Sequence, residues 1–158
     1  THYLLQNFSK VIDNKLKILT VSSQAALKVF DGGGAYGTAK KGLTSGLFEF
    51  ENQLRVEGIK NIMLYRLYPG TVATLGVLDL VRKGILQNPT SLESVVDTAL
   101  DLLLERTPTR DAYIGFIPGI GIKRMYFSSE IKDFSLLKKV SEDIIDKNFD
   151  PDFLLNSL

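Results

Sequence analysis

The sequence predicts an α/β fold built on an open parallel sheet. Three short β-like runs alternate with amphipathic helical stretches along the 158 residues, and two of the runs end in turn-forming motifs. Alternation of this kind favours parallel strands joined by crossover helices, which are expected to be right-handed. The chain reads as one partial domain spanning 1–158.

The elements follow in order. Leu4, Phe8, Val11 and Ile12 form one stripe of a first helix over about 3–14, and a strand follows at 17–22. Asp31-Gly32-Gly33-Gly34 then breaks the chain, either as a simple flexible turn or as a loop that adjusts to a substrate. A helix from Tyr36 to about Arg55 carries Ala39, Leu43, Leu47, Phe50 and Leu54 as its buried stripe. Gly42 and Gly46, one turn apart, point to close packing against another element. Phe48 falls on the charged side with Lys41, Glu51 and Arg55.

A second strand at 59–67 runs into Tyr68-Pro69-Gly70-Thr71-Val72-Ala73-Thr74. Leu75 to Leu86 is apolar with scattered charges. Thr90 and Glu93 form a capping-box pattern ahead of a helix marked by Leu92, Val95, Val96, Ala99, Leu100 and Leu103, which stops before Pro108. A third strand is expected at 112–117. The last helix, about Phe134 to Asn148, should bury Leu136, Leu137, Val140, Ile144 and Ile145, with a tail carrying Phe153, Leu154 and Leu155.

Composition excludes several functions. Charged residues make up 23% and the formal net charge is +1, so nothing electrostatic favours nucleic acid. No run approaches the ~20 apolar residues of a membrane span, and no secretory leader is evident. A cytoplasmic protein is the expectation. With no cysteine there are no disulfides, thiolate metal sites or cysteine nucleophiles. The single histidine, His2, reads as a solvated residue, and no metal is expected.

The most specific feature is a constellation of three side chains. Tyr36 and Lys40 are four apart and share one helical face, and an ammonium beside a phenol favours the phenolate needed for acid–base work. Ser23, thirteen residues before Tyr36, closes the first strand and can hold a substrate oxygen. The Tyr-x-x-x-Lys spacing alone is common in a chain with six tyrosines. Its setting makes it specific, because Ser23 and Tyr36 should both face the carboxyl edge of the sheet, where open α/β sheets bind ligands.

Ser-Ser at a strand end, Tyr-x-x-x-Lys at a helix start and then Pro-Gly-x-x-x-Thr resemble the short-chain dehydrogenase/reductase family over about residues 1–75. The resemblance implies a Rossmann-type doubly wound parallel sheet, present here only as its carboxyl-terminal part. It implies an oxidoreductase that moves hydride between NAD or NADP and a carbonyl or alcohol substrate. In that family's terms Tyr36 would be the acid/base, Lys40 the group that tunes it and holds the nicotinamide ribose, and Ser23 the substrate-oxygen ligand. Pro69, Gly70, Val72 and Thr74 would line the nicotinamide and pyrophosphate end of the cofactor. The helix over 36–55 would make a homo-oligomer, with Phe48 buried against a copy of itself.

The chain departs from the family in one respect. No glycine-rich phosphate loop precedes Ser23, and the family's catalytic asparagine would fall before Thr1, since Asn7 is too near Ser23 to take its place. The chain therefore reads as the back half of a longer protein. Gly115, Gly119 and Gly121 follow a β-like run, but Pro118 offers no N–H to a phosphate, and the apolar residues after them read as packing over a core. A non-catalytic binding or regulatory module that retains the fold is the alternative.

Overall fold

The computed structural model describes residues 15–28, 34–117, 119–128, 131 and 133–146, with side chains assigned in the last helix as far as Ser141. The helix expected over 3–14, His2, Asp31 to Gly33, Pro118, the buried positions Ile144 and Ile145 and the tail with Phe153 lie outside those side-chain descriptions.

The architecture is mixed α/β, with a four-stranded, mostly parallel open sheet flanked by helices. The strands are β1 (Leu16–Val21), β2 (Ile62–Pro69), β3 (Asp111–Ile117) and β4 (Gly121–Tyr126), and they lie in chain order. β1 pairs with β2 and β2 with β3 in parallel, while β4 returns antiparallel to β3. The helices are α1 (Gln24–Leu27), α2 (Gly34–Val56), α3 (Leu75–Arg82), α4 (Leu92–Leu103) and α5 (Phe134–Asp146).

All eight residues of β2 are buried, as a strand covered on both faces must be. Its alternation sorts them between two layers. Ile62 and Leu64 pack with Phe50 and Leu54 of α2. Met63, Tyr65 and Leu67 pack with Val95 and Leu102 of α4. A third cluster joins Ala26 and Leu27 of α1, Phe48 of α2, Tyr68, Tyr113 and Leu137 of α5. α4 is tied to the sheet at its end: Lys17 Nζ donates to Leu103 O at 2.8 Å, and Tyr65 OH donates to Glu105 Oε1 at 2.7 Å.

Several expectations are corrected. The region after Gly119 forms β4, an antiparallel edge strand that was not expected, and its Met125 and the following Phe127 pack into the core as expected. Gly119 and Gly121, at φ of +80° and +96°, make its turn, so the spaced glycines form a β-hairpin rather than a phosphate loop. The crossovers are not both right-handed. They step in the same direction across the sheet, yet α2 covers one face and α4 the other, so their hands are opposite. Between β2 and α4 the chain makes an excursion through α3.

Phe48 is only 3% exposed and packs inside its own chain. Ala39 and Leu43, expected inside, are exposed, and a Cβ at Gly42 or Gly46 would meet nothing within 4 Å. The inward face of α2 instead carries Thr44, Phe48 and Leu54, with Phe50 beside them. In α4, Val95, Thr98 and Leu102 are buried, whereas Leu92, Val96 and Leu100 form an outer ridge. The cap of α4 is Ser91, whose hydroxyl accepts from Ser94 N at 3.1 Å, and Thr90 is buried one residue earlier. In α5, Leu137 is inside and Leu136 is exposed.

Candidate functional site

The carboxyl end of β1 is fixed first. Ser22 N donates to Leu67 O at 2.8 Å, and its hydroxyl lies 3.0 Å from the hydroxyl of Thr44, both groups buried. This bond ties the strand end to the middle of α2. Ser23 is the N-cap of α1: its extended backbone lets Oγ accept from Ala25 N at 3.1 Å. The cap uses an acceptor lone pair, and the Ser23 O–H remains a donor.

α1 then lies against the first turn of α2. A Cβ at Gly37 would stand 3.4 Å from Ala25 O, an ordinary contact distance that shows how near the two backbones run. Tyr36, beside Gly37, is 55% exposed. The Lys40 ammonium sits 5.7 Å from the centre of its ring, within cation–π range. Ser23, Tyr36 and Lys40 thus come from adjoining segments beyond the end of β1.

The second turn starts where β2 ends. Pro69 is the last residue of β2, in register with Ile114, and Gly70 N donates to Ile114 O at 2.8 Å. A side chain at Gly70 would come within 3.2 Å of both Gln24 Oε1 and Gly115 Cα, so glycine here lets the ends of β1, β2 and β3 converge. Val72 forms an isolated parallel bridge with Thr90, closed by Ala73 N to Thr90 O at 2.8 Å and Thr90 N to Thr71 O at 2.7 Å. Thr74 caps α3, although its bond from Val77 N is long at 3.5 Å. Pro69, Gly70, Val72 and Thr74 therefore form one short turn beside Gln24.

Sequence reasoning missed Ser22, Thr44, Gln24 and Thr90. The Ser-Ser pair hinted at Ser22, since one serine can cap while the other points inward. Thr90 had no such signal. Its Oγ1 is buried without a hydrogen-bond partner among the described residues, next to the turn through Val72.

The resemblance of these motifs implies a nicotinamide cofactor. An exposed phenol with its ammonium and a turn kept free of a side chain at Gly70 are features a polar, planar ligand can use. No family model matches the chain, and no curated protein matches it. No helix among the described residues is long and apolar enough to cross a membrane.

Proposed function

We propose that the chain is part of an oxidoreductase that moves hydride between NAD(P) and a carbonyl or alcohol substrate. In this reading the four strands belong to the carboxyl-terminal part of a Rossmann-type doubly wound sheet. The observation that carries it is the exposed Tyr36 phenol with the Lys40 ammonium against its ring, beside the Ser23-capped turn at the end of β1.

The bound cofactor supplies or accepts the hydride. Tyr36 gives its phenolic proton to the carbonyl oxygen as the alcohol forms and takes it back in the reverse direction. Ser23 donates a hydrogen bond to the same oxygen and orients it. Lys40 holds a positive charge beside the phenol and reaches the nicotinamide ribose. Pro69, Gly70, Val72 and Thr74 hold the nicotinamide end by backbone and small side chains. The outer stripe of α2, with Ala39, Leu43 and the open glycines Gly42 and Gly46, is the surface for self-association, in place of the interior Phe48.

Nicotinamide fluorescence tests the reading. Titrating NADH and NADPH into the whole oxidoreductase of which the chain is part should enhance and blue-shift the emission, whereas these 158 residues alone should bind only weakly, and Lys40→Ala should weaken binding in the whole protein. Emission unchanged at millimolar protein and cofactor would leave a non-catalytic module that keeps the fold.

A further inference from the structure

A cavity of about 440 Å³ opens at the amino-terminal ends of β2 and β3, the opposite end of the strands from Ser23 and the Pro69–Thr74 turn. Along β2 the lining reaches as far as Arg66, three residues short of Pro69, which at ~3.3 Å per residue is roughly 10 Å. This volume lies within the range of small-molecule sites, ~300–1,000 Å³.

The charges around it do not balance. Arg55, Lys60, Arg66 and Arg110 line the cavity against two carboxylates, Glu51 and Asp111, an excess of two positive charges. Every oxygen of those carboxylates is already engaged. Asp111 Oδ1 accepts from Arg66 Nε at 2.7 Å and from Tyr68 OH at 3.0 Å, and Oδ2 accepts from Arg66 Nη2 at 2.8 Å. Glu51 Oε2 accepts from Arg66 Nη1 at 2.8 Å and Oε1 from Arg110 Nη1 at 3.0 Å. An anion entering the cavity therefore meets carboxylates whose charge is already neutralised by Arg66 and Arg110. It also meets two further cations: Arg55, whose hydrogen bond goes to the neutral amide of Asn52, and Lys60 on the exposed loop before β2.

The remaining wall is apolar, from Ile59, Ile62, Met63, Pro108 and Ile131. The Arg66 guanidinium carbon sits 3.8 Å from the centre of the Phe48 ring, and with its carboxylate bonds this fixes the floor before any ligand arrives. From this combination we propose that the cavity is a second binding site, taking a small organic anion: a carboxylate or phosphate head held by Lys60, Arg55 and Arg110, with an apolar body against the isoleucines. The site is independent of the chemistry at Tyr36.

Calorimetry at constant ionic strength, with sodium chloride as the balancing salt, tests this with hexanoate, hexyl phosphate and inorganic phosphate as separate probes. One-to-one binding is expected for at least one probe with an alkyl chain, at least tenfold tighter than for inorganic phosphate. The head group is assigned by whichever alkyl probe binds more tightly. The double variant Arg55→Gln/Lys60→Gln changes two exposed side chains and leaves the buried pairs intact, and it should raise the dissociation constant at least tenfold. Methyl chemical shifts of Ile59 and Ile62 should move on binding. Absence of binding by every probe, affinity unchanged in the double variant, or shifts confined to residues near Tyr36 would each overturn the proposal.

Discussion

Arg66 and Asp111 are register partners on neighbouring parallel strands, and they are joined through two bonds of 2.7 and 2.8 Å inside the protein. Burial alone would weaken the guanidinium charge. The paired carboxylate of Asp111, helped by Glu51, outweighs that and holds Arg66 more firmly protonated than usual. Removing one member leaves the other charge buried, so Asp111→Asn should lose about 3–5 kcal/mol of stability. Urea denaturation followed by circular dichroism measures it. Glu51→Gln should cost less, because Glu51 lies nearer solvent.

For the proposed chemistry, in the whole oxidoreductase of which the chain is part, Tyr36→Phe should lower carbonyl-reducing turnover by at least ~100-fold, the scale of a lost general acid, with cofactor affinity little changed. Steady-state kinetics with saturating cofactor checks it. Retained turnover removes Tyr36 from the mechanism.

Two glycines near the β3–β4 hairpin should fail for different reasons. A Cβ at Gly115 would overlap the hydroxyl of Tyr113 and stand 3.1 Å from Gly70 Cα, so Gly115→Ala should cost about 1–3 kcal/mol through overpacking. Gly121→Ala meets open space but forces alanine to φ of +96°, which costs on the order of 1–3 kcal/mol as backbone strain. Only the first should disturb the Tyr113 ring resonances in an NMR spectrum.

Stability should fall on the alkaline side through buried phenols. Burial and a hydrogen bond to Glu105 push Tyr65 up to about 12, and burial beside Asp111 pushes Tyr68 well up. The folded state therefore holds these protons more tightly than the unfolded chain, where phenol titrates near ~10. The contribution of Tyr65 is complete below pH ~10 and is lost as the pH rises through about 12, and that of Tyr68 is lost on the same alkaline side. The phenolate absorbance at 295 nm that Tyr65 and Tyr68 contribute should rise together with unfolding in that window. The part of the rise that disappears in Tyr65→Phe and Tyr68→Phe belongs to these two phenols, and if that part precedes unfolding they are open to solvent.

Self-association through α2 is tested by Leu43→Glu. Leu43 is 41% exposed, so the change should leave folding intact and halve the mass seen by light scattering. A wild-type chain that is monomeric at 100 μM excludes this surface.

Much of the order of elements was legible because apolar spacing and turn residues mark them locally. β1, α2, β2, α4, β3 and α5 each carry such a signal. What stayed hidden depends on partners far away in sequence. Glu51 on α2 argued for a solvent face, but it faces inward to meet Arg66 and takes Phe48 with it. The signal was Arg66 itself, a charge inside the run Ile62 to Pro69, which demands a buried acid from elsewhere. β4 was hidden because Lys123 and Arg124 are exposed on an edge strand with one buried residue, Met125, and that pattern is too thin to distinguish from a loop. At the candidate site, the spacing of Tyr36 and Lys40 was visible, whereas the convergence of Gln24, Gly70 and Gly115 is a product of strand register.

The bridge between Val72 and Thr90 means that the chain leaves the sheet and rejoins it at nearly the same point. Everything from Ala73 to Pro89, including α3, hangs from that clasp, and α3 contributes no buried residue to the body. Such a segment can lengthen, shorten or be exchanged without shifting β2 or α4. It is a natural cassette for diversification, in which new sequence alters what lies over the turn while the frame beneath stays constant.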